Sequence, residues 1–336
     1  ATHTTPDALN LNALLADMLA SGCTHVFMEV SSHAVVQKRI FGLSFRGAIF
    51  SNITRDHLDF HETFDSYIKA KKGFFDALPK TAFALTNVDD KRGTVMLQNT
   101  KAQKYSYGIL ESADFKAKIK ANVLSGLQLE LDGNEIHAQL IGQFNAYNLI
   151  AIYATAILLG EEKGEVLIAL SALKTAPGRF EQMHGPENKM AIVDYAHTPD
   201  ALENVLKTIQ AIRQKHQRII TVVGCGGNRD AGKRPIMATL AAQYSDQVVL
   251  TSDNPRFEDP ELILDQMQAG ISAADESKVI RISDRKHAIV EAIQQLAKSG
   301  DIVLVAGKGH ETYQDIQGVK HDFDDKQVIS DAFSKV

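Results

Sequence analysis

The residues that could do chemistry sit in short polar runs, each following an apolar one. Glu29-Val-Ser-Ser-His33 and Asn52-Ile-Thr-Arg-Asp-His-Leu-Asp-Phe-His61 combine acids, imidazoles and hydroxyls. Glu29 and His57 could bind a hard or borderline cation, and this donor set suits a Mg²⁺ that keeps waters and bridges phosphates. A polar loop network explains the same composition equally well. Lys69, Lys71 and Lys72 share a helical segment, where a solvated basic face is the default expectation. Cys23 and Cys225 are expected to carry no chemistry.

The second half carries four such runs. Gly224-Cys-Gly-Gly-Asn-Arg-Asp-Ala-Gly-Lys-Arg-Pro235 is a glycine-rich turn into a helix, suited to an anion because free N–H groups point outward there. It also reads as a plain tight turn. Arg229 occupies the third glycine position of a dinucleotide fingerprint, and no GxxxxGK[ST] loop occurs in the chain. In Ser252-Asp-Asn-Pro-Arg256, the arginine stands on a proline-fixed turn as a candidate bidentate carboxylate clamp. Asp259 and Pro260 would cap the next helix without using Arg256. Ala306-Gly-Lys-Gly-His-Glu311 places an acid where it could hold an ammonium group. Arg256 and Glu311 together would read a zwitterion; a solvated acid in a first helical turn is the competing reading of Glu311. Asp194-Tyr-Ala-His197 ends another strand, and His197 gains interest from its loaded neighbours.

The elements that must position these runs follow from hydrophobic period. Leu11, Leu14, Leu15, Met18 and Leu19 lie at helical spacing, and Cys23 to Val30 reads as a buried strand. Short strands are expected at 47–52 and 81–87, and helices at 64–78 and 145–159. Residues 103–140 alternate apolar and polar, predicting antiparallel hairpins, with Asp132-Gly133 as a turn. Beyond Pro177-Gly178 strands at 191–194, 218–223, 247–250, 279–282 and 302–305 alternate with helices near 199–215, 233–244, 260–272 and 285–298. That rhythm defines an α/β fold whose second domain is an open, mainly parallel sheet covered on both faces. Two domains, 1–176 and 177–336, are expected.

Bulk properties narrow the class. Lys plus Arg number 36 and Asp plus Glu 41, a net charge of −5, which argues against general nucleic-acid binding. Two distant cysteines make neither a disulfide framework nor a zinc site and suit a cytoplasmic protein. No run is apolar enough to span a membrane.

Six motifs, taken in order, resemble the Mur ligase family: Glu29-Val-Ser-Ser-His, Thr54-Arg-Asp-His-Leu-Asp-Phe-His, Gly142-Gln-Phe-Asn-Ala-Tyr-Asn, Asp194-Tyr-Ala-His-Thr-Pro-Asp, Asp253-Asn-Pro-Arg and Gly307-Lys-Gly-His-Glu. The resemblance implies a central ATPase domain followed by a Rossmann-like domain that receives an amino acid. It implies an ADP-forming ligase that adds meso-diaminopimelate to UDP-N-acetylmuramoyl-L-alanyl-D-glutamate through an acyl phosphate, acting as a monomer. Glu29 and His57 would help hold Mg²⁺ together with a carbamylated Lys71. Lys71 and His197 would be catalytic. Asn52, Asn145, Asn148, Arg179 and Asp194 would contact ATP. Thr4, Thr5, Ser31, Gln37 and Arg39 match contacts to the muramoyl substrate; Arg229, Asp253, Asn254, Arg256, Gly307 and Glu311 match contacts to diaminopimelate. The family's phosphate loop is expected upstream of Thr4-Thr5-Pro6. On that expectation the central domain is partial, lacks its P-loop, and this chain alone is inactive.

Other readings stay open beside this one. A folylpolyglutamate synthetase-like ligase shares the fold and ATP chemistry, and a non-catalytic amino-acid-binding module would use the second domain alone. A nicotinamide-dependent oxidoreductase is disfavoured by Arg229.

Overall fold

A computed structural model describes residues 4–335. The chain divides into two compact units: residues 1–119, 129–136 and 146–170 in the first, and 120–128, 137–145 and 171–336 in the second.

The first unit opens with α1 (Ala8–Ala20), whose start is capped by Asp7 accepting from the N–H groups of Leu9 and Asn10. The chain continues through α2 (Ser32–Val36), β1 (Gly47–Phe50), α3 (Leu58–His61), α4 (Phe64–Asp76), β2 (Phe83–Asn87), α5 (Gly93–Met96), β3 (Gln103–Gly108), β4 (Phe115–Val123), β5 (Gly126–Leu131), β6 (Asn134–Ala138), α6 (Gln143–Leu159) and α7 (Lys163–Ser171), of which residues 120–128, 137–145 and 171 count with the second unit. The sheet order is β1-β2-β3-β4-β5-β6, and β1, β2 and β3 are parallel. All five residues of β2 are buried: Phe83, Ala84 and Leu85 are apolar, and Thr86 and Asn87 donate to the Gly93 and Ser51 carbonyls. Phe50, Ile68, Phe75, Ala84 and Met96 form the core beneath it.

Two expectations fail here. Residues 23–30 form no strand: Val26 is 44% and Phe27 72% exposed, and the segment finds no ladder partner among the described residues. Apolarity supplies a reason to be buried, but a strand also needs a neighbouring edge. Instead Thr24 to Met28 line a cavity of about 500 Å³ with Phe45, Ile49 and Phe83. Within 103–140, β3 extends the parallel ladder rather than opening a hairpin, since Phe83 pairs with Gln103. The hairpin reading holds further on. Two-residue links join β4 to β5 and β5 to β6, and Asp132 and Gly133 both take positive φ, 48° and 78°, as the primed turn requires.

The second unit contains β7 (Glu181–His184), β8 (Met190–Asp194), α8 (Pro199–Ile212), β9 (Ile219–Cys225), α9 (Lys233–Tyr244), β10 (Gln247–Ser252), α10 (Pro260–Gln268), β11 (Val279–Arg281), α11 (Arg285–Glu291), β12 (Ile302–Ala306), β13 (Tyr313–Ile316), β14 (Val319–Asp322) and α12 (Asp325–Phe333). Its main sheet runs β11-β10-β9-β12-β8-β7, parallel except for the antiparallel edge strand β7. Side chains alternate between two cores with a period of two. Ile192, Val223 and Leu304 pack with α8, α9 and α10 on one face; Val193, Val222 and Val305 pack with α11 and α12 on the other. Because β10, β9, β12 and β8 are adjacent and parallel, their carboxyl ends share one edge. Thus the runs after Ser252, Cys225, Ala306 and Asp194 become neighbours although far apart in sequence. Thr198 caps α8 and Asp259 caps α10, each followed by proline. The β13–β14 hairpin was not foreseen, nor was edge strand β7.

Candidate functional site

In the first unit, several candidate residues join one hydrogen-bonded patch. The buried Thr5 hydroxyl donates to the Glu29 carbonyl at 2.9 Å and accepts the Ser31 N–H at 3.4 Å. Arg39 donates from Nη1 to the Thr5 carbonyl and from Nε to Gln37 Oε1, both at 2.9 Å. Ser31 also caps α2 through the Ala34 N–H. Thr4 is exposed beside this patch.

Lys71 lies half-buried on α4, its ammonium 5.2 Å from the Tyr67 ring centre. Desolvation lowers its pKa, opposed by the negative charges of Glu29 and Asp56. Tyr67 is pushed up to about 12 by burial, then by Asp56 and Glu29. These influences bring Glu29, Asp56, Tyr67 and Lys71 into one electrostatic neighbourhood. The solvated basic face expected for this helix is therefore corrected: Lys69 is exposed, but Lys71 is desolvated and Lys72 pairs with Asp76 at 2.6 Å. His57 adopts φ 55°, lies edge-on to Tyr67 at 6.0 Å, and has its Nε2 3.6 Å from Asp56 Oδ2. Asn52 is exposed in a loop fixed by Asn87 donating to the Ser51 carbonyl and by Asp90 accepting from the Ile53 N–H. Among the described residues no three His, Cys, Asp or Glu side chains cluster as a metal site. Glu29 and His57 have the donor chemistry of a magnesium site that keeps waters, and two such side chains fall short of a complete donor set. Asn148 is exposed on α6, whose start is held by Tyr147 donating to Asp89 at 2.8 Å.

In the second unit, Asn145 donates to the Ile141 carbonyl at 2.7 Å, tying its amide to the start of α6. Asp194, at the tip of β8, accepts from the N–H groups of Phe180 and Ala196 at 2.7 and 2.8 Å. Burial raises its pKa against those hydrogen bonds and the charge of Arg179. Arg179 stacks on Tyr195 at 4.6 Å. His197 meets the Tyr195 carbonyl through Nδ1 at 2.8 Å, and Lys233 donates to the His197 carbonyl.

The densest polar cluster surrounds Lys308, which is fully buried. Its ammonium lies 2.9 Å from Asn254 Oδ1, 3.3 Å from Glu311 Oε2 and 3.5 Å from Asp253 Oδ1. Asn254 Nδ2 donates to Glu311 at 2.9 Å, so both ends of the amide are assigned. Asp253 Oδ1 is buried without a hydrogen-bond partner among the described residues. A Cβ at Gly307, where φ is 117°, would sit 3.0 Å from Asp253 Oδ2; glycine permits both the turn and the approach. Two carboxylates around one lysine leave a net negative charge, suited to an incoming ammonium. Glu311 is not the first-turn helix acid considered above, because β12 is followed by a loop and a hairpin.

Arg256 is also partly engaged. It takes φ 50°, donates from Nη1 to the Gly227 carbonyl at 2.8 Å, and has Nε 3.9 Å from Asp315 Oδ2. Arg229 is exposed on the same side, where its stem and Arg256 Nη1 both approach Gly226. Its guanidinium reaches only as far as the neighbouring Asn228 carbonyl, at 3.3 Å. Sequence reasoning missed Lys308, Gln314 and Asp315. Lys308 stood inside a quoted motif, yet lysines are so seldom fully buried that its type gave no reason to select it. Both cysteines are free: burial raises the Cys225 thiol to about 12, and Cys23 is exposed.

An α/β fold of two sheet-containing units, with polar clusters at the carboxyl ends of its strands, has the layout of a ligand-binding protein. Residues 1–156 match the Mur ligase middle domain, and residues 178–309 match the Mur ligase glutamate ligase domain. The UDP-N-acetylmuramoyl-L-alanyl-D-glutamate–2,6-diaminopimelate ligase of Cytophaga hutchinsonii is 61% identical over 331 residues, covering 98% of this chain and 68% of that protein. The same-named ligase of Phocaeicola vulgatus is 56% identical over 332 residues, covering 99% and 68%. A solved structure bearing that ligase name superposes with a TM-score of 0.64 at 37% identity, over 99% of this chain and 69% of its own. The chain belongs to the Mur ligase family. Among the described residues no helix is long and apolar enough to cross a membrane.

Proposed function

We propose that this chain carries the site residues for the ligase chemistry of those relatives: ATP-dependent joining of meso-diaminopimelate to UDP-N-acetylmuramoyl-L-alanyl-D-glutamate in peptidoglycan synthesis. The observation that carries this reading is the 61% identity over 98% of the chain, joined with a second-unit cluster whose charges complement an amino acid. The functional division is taken at 176/177.

In the proposed reaction the D-glutamate side-chain carboxylate attacks the γ-phosphorus of ATP, and ADP leaves. The free amine of diaminopimelate then attacks the acyl carbon, phosphate departs with the C–O electron pair, and the amine loses its proton. Thr4, Thr5, Ser31, Gln37 and Arg39 bind the muramoyl substrate. Asn52, Asn145, Asn148, Arg179 and Asp194 contact the nucleotide, and His197 serves the chemical step. Glu29, His57 and a carbamylated Lys71 would hold Mg²⁺, which neutralises phosphate charge. Desolvation of Lys71 supports this, because a neutral amine is the form that takes up carbon dioxide.

In the second unit, Asp253, Asn254, Gly307 and Glu311 receive the ammonium end of diaminopimelate, and Arg229 and Arg256 receive its carboxylates. Arg256 faces the carboxylate that lysine lacks, so a lysine bound there leaves a guanidinium without its partner.

The test is ADP release, measured on this chain beside one of the matched relatives, whose length it covers to 68%. Release should require ATP, the muramoyl dipeptide and diaminopimelate together. Equal turnover with lysine would remove the specificity assignment; release with a folate acceptor would favour the folylpolyglutamate-type reading.

A further inference from the structure

Hairpin β13–β14 has no place in the chemistry above, yet it holds the Asp253-Asn-Pro-Arg256 motif residue by residue. Gln314 donates from Nε2 to the Asp253 carbonyl at 2.6 Å. The Asp315 N–H donates to Asn254 Oδ1 at 2.9 Å. The Arg256 N–H donates to the Asp315 carbonyl at 2.9 Å, and the Gln317 N–H to the Arg256 carbonyl at 2.8 Å. These last two bonds make a bridge between Arg256 and Ile316. They hold Arg256 at φ 50°, a conformation that a non-glycine residue keeps only when its surroundings impose it.

The Asp315 side chain completes the hold. Its Oδ2 lies 3.9 Å from Arg256 Nε, and both side chains are about three-quarters buried, at 22% and 24% exposure. Its Oδ1 is buried with no hydrogen-bond partner among the described residues. On the opposite side, the Gly227 carbonyl accepts Arg256 Nη1, and a Cβ at Gly226 would come within 2.9 Å of that nitrogen. The guanidinium is thus hydrogen-bonded at Nη1 and at ion-pair distance from Asp315 at Nε, which leaves Nη2 for a ligand. A planar fork fixed by one edge presents its other edge in a defined direction.

We propose that Asp315 is a positioning residue: through the hairpin it aims Arg256 and thereby sets discrimination between an amino acid with a second carboxylate and one without. This rests on the reading that Arg256 meets the second carboxylate of diaminopimelate. Asp315 touches no substrate in this scheme; it acts through Arg256.

Calorimetric titration of the full chain with meso-diaminopimelate and with lysine tests the proposal. Asp315→Ala should weaken diaminopimelate about tenfold, as removal of a partly buried ion-pair partner of the guanidinium would, and leave lysine unchanged, so that their ratio falls. Asp315→Asn keeps the shape and an acceptor for Nε and should recover part of the ratio. Equal weakening of both ligands, or none, overturns the proposal. A second readout does not depend on the ligand: the Arg256 Nε–H proton, partly buried beside the Asp315 carboxylate, should exchange more slowly in the wild-type chain than in Asp315→Ala, with Asp315→Asn between them. Unchanged exchange overturns the positioning role. Failure of the wild-type chain to bind diaminopimelate, with exchange changed as expected, would instead sink the substrate reading.

Discussion

The Lys71 neighbourhood of the first unit and the Lys308 cluster of the second use a half-buried or buried lysine in opposite ways. Lys308 is surrounded at hydrogen-bond or ion-pair distance by Asn254, Glu311 and Asp253, so its charge is spent internally. Lys71 stands over an aromatic ring and is depressed by desolvation, with Glu29 and Asp56 only as more distant compensation. One lysine is a structural cation that orders acceptors before a ligand arrives. The other is an amine in poorly solvated surroundings, the state that the proposed carbamylation would use. Preorganisation needs saturated partners, whereas reactivity needs a missing one.

Replacing each lysine should separate these roles. The largest effect is expected at Lys71: Lys71→Ala should lower ligation on the order of 10³-fold, as loss of a group that stabilises phosphoryl charge does. Short-chain carboxylates added to the assay should restore part of the rate, while bicarbonate should not. Full activity in that variant would break the comparison at its first term. Next, Arg256→Ala should reduce diaminopimelate use about 100-fold relative to wild type while affecting lysine little, as kcat/KM for the two amino acids would show.

A third variant acts on stability. Lys308→Met leaves Asp253 and Glu311 without their buried counter-charge and should destabilise the second unit by about 3 kcal/mol in urea denaturation. Loss of activity without loss of stability would mean that Lys308 contacts substrate instead. The smallest effect is a pH slope. Because the folded Lys71 pKa lies below its ordinary 10.5, the unfolded chain binds more protons in the interval between the two. Wild-type stability should therefore rise relative to Lys71→Met as pH climbs through that interval and level off near 10.5. An opposite slope would show the ammonium to be favoured by its surroundings.

How legible this was depended on whether a residue's role was local. The strand end at Asp194 and the cap Asp259 follow from period and from the pairing of a capping side chain with proline. The gathering of the loops after β8, β9, β10 and β12 followed from parallel order alone. Residues 23–30 misled because hydrophobicity signals burial, while a strand also requires an edge that no local pattern reveals. Hairpin β13–β14 carried a readable signal that was passed over: Gln317-Gly318 between alternating residues, both with positive φ of 52° and 78°. Lys308 and Asp315 could not be read, since their partners Asp253, Asn254 and Arg256 are about 55 to 60 positions away in sequence.

The comparison turns on the second unit being built to receive a particular amino acid. A crystal structure of the chain soaked with meso-diaminopimelate addresses this directly. The account predicts one carboxylate paired with the Arg256 guanidinium, an ammonium group between Asp253 and Glu311, and Lys308 unmoved. A ligand whose second carboxylate is solvated, with Arg256 turned away from it, would contradict the account.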